Sequence, residues 1–436
     1  MMRNKPSTSH RSTTKHGKRI HSQQPLESNF EQSLKLYGST SKRRKRTYPE
    51  QPFQSNFERL PTDILKSIFT QLSFADLIRV TAVSSFLKSS VEAFDDFSRF
   101  LKSPWFIIPP NEGERGSCLI LNVEENNFYR LKRRTSDVFS RYPIVGSSQR
   151  WLIFSDHTTF TLFLLNPFTE VRIQLSSSLK PFFNISEIEE LDPGHYTVIF
   201  ANKWTARKAD YQIRQCLVKT ALLTADPTHS KDFGVALISD DEKRLGYYRN
   251  GSQSWWTELT AGTYTNILCS KSKLYALCFL GSTTFIDSWK FHGNCHGLHS
   301  KKRTPLTFPP KITTVGLVGS EGDILLAGCE YSAETLFRVF KLDFERRKWV
   351  EMNSLGDRSI LCLRSNQSIL VSTKDLQACR GNSIYFTTWS LKGRIIIKMY
   401  ELRDGNKSSV RFESKNMRLE NSPWWIVVPS SSQSNA

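Results

Sequence analysis

The chain lacks any long hydrophobic run. No stretch approaches the roughly 18 apolar residues that a membrane-spanning helix requires, and the longest apolar runs have the length of a strand. The polar, basic N-terminus has no apolar segment of the kind found in secretory signals. The eight cysteines include no Cys-x-x-Cys pair. These absences predict a cytosolic or nuclear protein whose thiols are free and mostly buried.

The short motifs that mark common catalytic sites are also missing. There is no phosphate-binding Gly-x-x-x-x-Gly-Lys-Ser/Thr, no Gly-x-Gly-x-x-Gly, no His-Glu-x-x-His and no Gly-x-Ser-x-Gly. One group of potential zinc ligands consists of His292, Cys295, His296 and His299. No cysteine pair accompanies it, so a loop inserted between strands is favoured over a metal site. The sequence therefore predicts no catalytic residue, metal or cofactor.

Positive charge is concentrated at the N-terminus. The net charge is +19, and residues 1–50 hold 12 Lys/Arg against 3 Asp/Glu, which leaves only +10 on the other 386 residues. Residues 1–55 and 430–436 are too polar to form a core and are predicted to be disordered. A run of five cations can be a nuclear-localisation signal, a solubilising linker or a weak phosphate-binding arm. These cations are Lys42, Arg43, Arg44, Lys45 and Arg46.

Residues 56–101 show the pattern of three short helices. Apolar residues from Leu60 to Leu72 recur at helical spacing, and Pro61 suits a first helical turn. Ser73 and Asp76 predict an N-cap with a capping box for a second helix, and Ser84 or Ser85 can cap a third. Three helices in about 45 residues form a small core. Such a module is expected to be completed by a partner.

From Trp105 onward the pattern is that of β-structure. Short apolar runs alternate with Gly, Ser, Asn and Pro breaks, which gives roughly two dozen candidate strands without a helical period between them. This pattern predicts an antiparallel all-β body. Typical runs are residues 118–123, 151–154, 160–166, 196–201, 235–238, 273–278, 324–329, 336–342 and 395–402.

Two internal echoes favour a closed ring of blades. Residues 256–259 (WTEL) resemble residues 349–352 (WVEM) 93 positions later, about two blades apart in a propeller. Residues 103–109 (SPWFIIP), which open the β region, resemble residues 422–429 (SPWWIVVP), which close it. A ring would bring these ends together and remove open sheet edges. A pair of β-sandwiches is the alternative and explains the number of strands less well.

Residues 56–65 (NFERLPTDIL) resemble the opening of an F-box, and the similarity continues through Ile68, Phe69, Leu72, Asp76, Leu77 and Val83. Where that family has Val-Cys-x-x-Trp, this chain has Val83, Ser84 and Phe86. The resemblance implies an F-box over residues 56–101. The changed residues imply looser docking of its third helix.

Residues 102–429 resemble the KIB-type β-propeller found in many plant F-box proteins. The matching stretches are residues 145–148 (VGSS), 165–169 (LNPFT), 339–343 (VFKLD), 354–358 (SLGDR) and 382–387 (NSIYFT). The fold expected from both resemblances is mainly β with a small α module, the β part being a propeller of about six blades.

The resemblance implies the substrate-recognition subunit of an SCF-type (Skp–cullin–F-box) ubiquitin ligase. The F-box would bind a Skp-type adaptor that bridges to cullin and RING subunits, and the propeller would hold a protein target. Catalysis would belong to other subunits. The adaptor-binding residues would be Leu60, Pro61, Ile64, Leu65, Ile68, Leu72, Leu77 and Val83.

Two other functions remain open at this point. The basic tail allows a nuclear propeller associated with nucleic acid or transcription, whose affinity for nucleic acid would depend steeply on salt. A propeller hydrolase would need an acidic or metal site at the ring axis, and no motif indicates one. The tryptophans and tyrosines could stack on bases, but burial between blades is favoured for them.

Overall fold

The computed structural model describes most of the chain after residue 59. The described residues are 60–81, 83–92, 103–109, 118–131, 133–148, 150–192, 195–203, 205–209, 218–228, 230–240, 243–250, 256–260, 262–292, 295–320, 322–330, 333–362, 368–374, 376, 379–389, 395–403, 405, 407–409 and 424–426. The predicted tails and the basic run at residues 42–46 lie outside them.

Three short helices form near the N-terminus, as predicted. They are α1 (Thr62–Gln71), α2 (Phe74–Thr81) and α3 (Ser85–Glu92). The amide of Asp76 donates to Ser73 Oγ at 3.2 Å and the amide of Leu87 donates to Ser84 Oγ at 3.2 Å, so both serines are N-caps. The Asp76 carboxylate accepts from the Ser73 hydroxyl at 2.8 Å. Their common core contains Leu65, Phe69, Leu77, Leu87 and Val91.

The first half of the β body contains fourteen strands among the described residues. They are β1 (Trp105–Ile108), β2 (Leu119–Asn122), β3 (Asn127–Arg130), β4 (Ile144–Ser148), β5 (Trp151–Asp156), β6 (Thr161–Leu165), β7 (Arg172–Gln174), β8 (Ile185–Asp192), β9 (His195–Phe200), β10 (Thr205–Ala209), β11 (Val218–Leu223), β12 (Gly234–Ser239), β13 (Leu245–Arg249) and β14 (Thr257–Thr260).

The second half contains fourteen more strands in the described part of the chain. They are β15 (Thr263–Ser270), β16 (Lys273–Leu280), β17 (Thr283–His292), β18 (Cys295–Leu306), β19 (Ile312–Ser320), β20 (Asp323–Glu330), β21 (Ala333–Asp343), β22 (Lys348–Met352), β23 (Arg358–Cys362), β24 (Ser368–Ser372), β25 (Ser383–Trp389), β26 (Ile395–Glu401), β27 (Lys407–Ser409) and β28 (Trp424–Ile426).

Six sheets form a closed ring, which confirms the predicted propeller. Blade 1 is β28-β1-β2-β3, blade 2 is β4 to β7, blade 3 is β11 to β14, blade 4 is β15 to β18, blade 5 is β19 to β22, and blade 6 is β24-β23-β25-β26-β27. The innermost strands pack side by side in the order β28, β4, β11, β15, β19 and β24. Leu361 and Tyr385 of blade 6 share a core with Trp105 and Trp424 of blade 1, so the ring closes.

The two ends of the β body pair with each other, as the echo between them predicts. Strand β28 runs antiparallel to β1, with Phe106 opposite Trp425 and Trp105 opposite Ile426. The rings of Phe106 and Trp425 lie 4.7 Å apart. The C-terminal strand therefore supplies the innermost strand of the first blade. Ring closure leaves no open edge at this seam.

The second echo also falls where the ring predicts. Strands β14 and β22 are the outermost strands of blades 3 and 5, with one blade between them. Trp256 and Trp349, which begin the two echoes, are both buried. The repeated motif thus marks equivalent positions in two blades.

Three features of the arrangement of the blades differ from the sequence-based expectation. A helix, α4 (Arg133–Arg141), joins blades 1 and 2 and buries Phe139 against Phe154. A three-stranded sheet, β8 to β10, lies between blades 2 and 3 in the chain without joining the ring, since β4 packs directly on β11. In blade 6, β23 pairs in parallel with β25, which breaks the antiparallel pattern.

The predicted loop around His292 and His299 is a β-hairpin instead. Strands β17 and β18 continue their ladder as far as the pair His292 and Cys295. Phe291 and Leu298 face each other there and pack on the core shared by blades 3 and 4, so apolar contacts extend the hairpin. The four predicted ligand side chains lie outside the described side chains.

The motif at residues 145–148 lies in β4, where the innermost strands of neighbouring blades pack closely. A Cβ atom on Gly146 would lie 2.0 Å from the carbonyl oxygen of Ala221 in β11, so only glycine fits. Ser147 Oγ donates to the Trp425 carbonyl in β28 at 2.5 Å. Two adjacent residues of β4 thus hold blades 1, 2 and 3 together.

Replacing Gly146 with alanine is expected to lower the free energy of unfolding by about 1–3 kcal/mol, because the backbone of Ala221 cannot move aside cheaply. The matched control is Gly319→Ala, where the new Cβ would lie 3.2 Å from the flexible Ser270 hydroxyl. The measurement is urea unfolding followed by tryptophan fluorescence, since all ten tryptophans follow residue 104. Equal midpoints for the two variants would contradict this account.

Candidate functional site

Helix α1 presents apolar side chains both to the core and to solvent. Leu65 and Phe69, one turn apart, are 3% and 2% exposed. Ile64 and Ile68, also one turn apart on a neighbouring flank, are 49% and 36% exposed. Burial against α2 and α3 accounts for the first pair only. The second pair is therefore a candidate docking surface.

The other predicted adaptor-binding residues are divided between core and surface. Leu60 and Leu72 pack partly against the core, and Pro61 is exposed at the start of α1. Val83 is 66% exposed. Leu65 and Leu77 are buried within the module and hold its helices together, and their contact with an adaptor stays a prediction.

A groove of about 240 Å³ lies between α1 and α3. It is lined by Thr62, Leu65, Lys66, Phe69, Phe86, Ser89 and Ser90. Phe86, which is 37% exposed, is not among the adaptor-binding residues predicted from the sequence. The sequence signal for it is its position, because it stands where the F-box motif has a tryptophan. The groove and the isoleucine pair lie on different flanks of α1 and give the module two apolar surfaces.

The remaining family-like motifs of the β body are structural. Asn166 Oδ1 accepts from the amides of Phe168 at 3.0 Å and Thr169 at 3.2 Å, which fixes the turn between β6 and β7. Asn382 Oδ1 accepts from the Leu355 amide at 2.8 Å and joins the entrance of blade 6 to β25. These two motifs therefore fix a turn and a strand connection of the ring.

The tryptophans of the β body are the residues that could stack on bases. Seven tryptophans lie within the described side chains, and all are buried, as predicted for blade packing. They are Trp105, Trp151, Trp256, Trp289, Trp349, Trp424 and Trp425.

The described side chains contain no group of three or more potential metal ligands. The six described cysteines form no disulfide. Within the same residues, no helix has the length and apolarity to cross a membrane.

Blade 4 contains a buried charge network. Arg303 donates to both carboxylate oxygens of Asp287, each at 2.7 Å, and the Tyr264 hydroxyl donates to Asp287 Oδ2 at 2.7 Å. Lys301 Nζ lies 3.6 Å from the same oxygen. Burial raises the pKa of Asp287, but the hydrogen bonds from Arg303 and Tyr264 outweigh it and hold that pKa below its usual range. The network ties three strands of the blade together.

Because its pKa is lower in the folded state, Asp287 stabilises the fold above the pKa of the unfolded chain, near 4, and this contribution disappears as pH falls through the lowered value. Asp287→Asn is expected to cost about 3 kcal/mol at pH 7. The difference from wild type should shrink below about pH 4 in urea unfolding. Asp323→Asn, which breaks a half-exposed pair with Lys341, is the control and should cost less than about 1 kcal/mol.

Comparison with known proteins agrees with this architecture. A model of the F-box domain matches residues 57–98, and a model of the KIB1-4 beta-propeller matches residues 120–416. The F-box protein At2g14290 of Arabidopsis thaliana is 30% identical over 390 residues, which cover 84% of this chain and 96% of that protein. The Arabidopsis F-box/kelch-repeat protein KIB1 is 25% identical over 372 residues, which cover 80% and 84%.

The helical module and the six-bladed ring thus define an F-box protein with a C-terminal propeller. More particularly, the chain belongs to the KIB1-4 β-propeller family. An F-box joined to such a propeller is the architecture of a substrate receptor of SCF-type ubiquitin ligases, and the F-box is the part that binds a Skp-type adaptor.

Proposed function

We propose that this chain is the substrate-recognition subunit of an SCF-type ubiquitin ligase. It would bind the adaptor through α1 to α3 and a protein target through the propeller. The observation that carries the proposal is the exposure of Ile64 and Ile68 on a helix inside the F-box match. Cullin and RING subunits would join through the adaptor and supply the transfer chemistry.

The exposed apolar surface is large for such a small module. Ile64, Ile68, Val83 and Phe86 are all at least 36% exposed, although the module contains only three short helices. Burying an aliphatic side chain fully contributes about 1.5–3 kcal/mol before ordering costs. Because these four side chains are only 36–66% exposed, covering them would contribute roughly half of that amount each, so they would form the apolar centre of a larger interface. The groove beside Phe86 gives a partner a pocket for an apolar side chain.

The double substitution Ile64→Asp and Ile68→Asp is expected to abolish capture of a purified Skp-type adaptor, because two buried charges would replace the apolar contact. The variant should still fold, since both side chains point to solvent. A pull-down with the full-length protein measures the effect.

The matched control is Leu280→Asp, because Leu280 lies on the propeller and is 55% exposed. It should bind the adaptor as wild type does. Retained adaptor binding by the isoleucine variant, or no binding by folded wild type, would contradict the proposed interface. Leu65→Ala should lower the free energy of unfolding of the helical module as well as adaptor binding, because Leu65 is buried in its core.

We also propose that the five cations at residues 42–46 direct the protein to the nucleus. Solvated adjacent cations suit the acidic groove of an import receptor. Replacing all five with glutamine in a fluorescent fusion is expected to shift the protein from nucleus to cytoplasm. Lys18→Gln with Arg19→Gln is the control for lost tail charge and should leave the distribution unchanged.

A further inference from the structure

The side of blade 4 that faces blade 5 carries a group of lysines. Lys273 in β16 lies directly opposite Lys290 in β17. Lys302 in β18 pairs with Ser288, two residues from Lys290. Because alternate residues of a strand share one face, these three lysines project on the same side of the blade. Lys271, in the turn between β15 and β16, lies beside them.

These lysines stand at the end of the seam between the two blades. Tyr275 follows Lys273 on the same face of β16 and packs in a core with Leu326 and Phe340 of blade 5. The apolar seam therefore ends where the lysines begin. They lie at the end of the ring that carries the turns between β15 and β16 and between β17 and β18, and loops at such an end commonly bind partners.

The lysines of this group repel one another. Like charges directly opposite on neighbouring strands are unfavourable, and Lys273 and Lys290 form such a pair. Nearby lysines are neutralised, as Lys301 is by Asp287 and Lys341 is by Asp323. Among the described residues, no ion pair involves Lys271 or the lysines at 273, 290 and 302. An anionic group from outside the chain would relieve the repulsion.

The turn that carries Lys271 is conformationally unusual. Lys271 and Ser272 have φ values of 46° and 53°, a combination that asparagine and glycine adopt more readily. A Cβ on Gly322, in the equivalent turn of blade 5, would lie 2.2 Å from Lys271 Nζ, so this amine reaches across the seam. This two-residue hairpin turn therefore places the Lys271 amine at the seam between the blades.

An exposed aromatic ring borders the same seam. Phe344, in the turn between β21 and β22, is 44% exposed, and its ring lies 6.4 Å from that of Tyr275. We name the surface formed by Lys271, Lys273, Lys290, Lys302 and Phe344 the lysine cleft. It combines an apolar contact with positive charge that has no ion-pair partner among the described residues.

We propose that the lysine cleft holds an acidic segment of the protein target, with an apolar residue of that segment against Phe344. This inference rests on the proposed receptor function and names the chemistry of its target. Neighbouring strands lie about 4.8 Å apart, so the lysines span roughly 10 Å, a distance suited to two or three acidic side chains of an extended peptide.

Nucleic acid fits the surroundings less well than an acidic peptide does. Asp323, Asp343 and Glu345 lie in and beside the adjoining turns of blade 5. These carboxylates would repel a continuous phosphate backbone, whereas a peptide can present acidic residues only where the lysines are. Charge complementarity confined to a short stretch therefore favours a peptide.

The test measures binding of a fluorescein-labelled peptide, in which glutamates flank a central phenylalanine, to the full-length protein by anisotropy. Lys273→Glu with Lys290→Glu is expected to raise its Kd at least about tenfold, and added salt should weaken wild-type binding. The matched control, Lys203→Glu with Lys231→Glu, changes two exposed lysines outside the cleft and should leave Kd within about twofold.

A charge swap separates lost binding from lost folding. The same peptide with lysines in place of glutamates should bind the cleft variant more tightly than it binds wild type. Unchanged affinity of the cleft variant for the glutamate peptide would overturn the proposal. So would tighter binding of single-stranded DNA than of the peptide to wild type, if the same reversal removed it.

The outcome is independent of the adaptor experiment. If the peptide did not bind at the lysine cleft, the expected results of the pull-down with the Ile64 and Ile68 variant would stay the same. Failure of adaptor capture together with cleft-dependent peptide binding would instead reject the ligase role and keep the propeller as an acidic-peptide binder.

Discussion

The whole β body depends on a three-residue strand from the far end of the chain. Strand β28 supplies the innermost strand of blade 1, and β1 beside it is buried along its full length, with Trp105, Phe106 and Ile107 at most 1% exposed. Without β28 these side chains would border an open edge. Since each blade packs mainly on its neighbours, a break at this seam would remove support from blades 1, 2 and 6 together.

The elements that could be predicted from the sequence are those fixed by local chemistry or by repetition. Ser73 and Ser84 predict the starts of helices because a hydroxyl oxygen can accept from an unpaired amide of the first turn. Both serines accept such a hydrogen bond in the structure. The echo between residues 103–109 and 422–429 predicted the closing pair because both copies require the same buried environment. Equivalent positions in different blades, such as Trp256 and Trp349, leave a similar trace.

What could not be predicted depends on how elements dock. The apolar stripe of α1 includes both Ile64 and Leu65, and periodicity alone does not tell which flank meets α2 and α3. Helix α4 has few apolar residues and forms because Phe139 finds a pocket on blade 2. The lysine cleft joins residues from three strands of blade 4 and a turn of blade 5, which only the register of the ladders brings together.

The two proposed surfaces use different interactions for different tasks. Burial of Ile64 and Ile68 would stabilise binding to any apolar partner of complementary shape. Such an interaction suits an adaptor that is the same whichever target the propeller holds. Charges in the lysine cleft would instead reject basic or neutral segments by leaving the lysines uncompensated, which is how an interface gains selectivity. Lys271 and Phe344 lie in turns, and the other three lysines stand where the apolar core of the seam ends, so these side chains can change with little effect on the scaffold. The ring therefore separates what must stay constant for folding from what can vary for recognition.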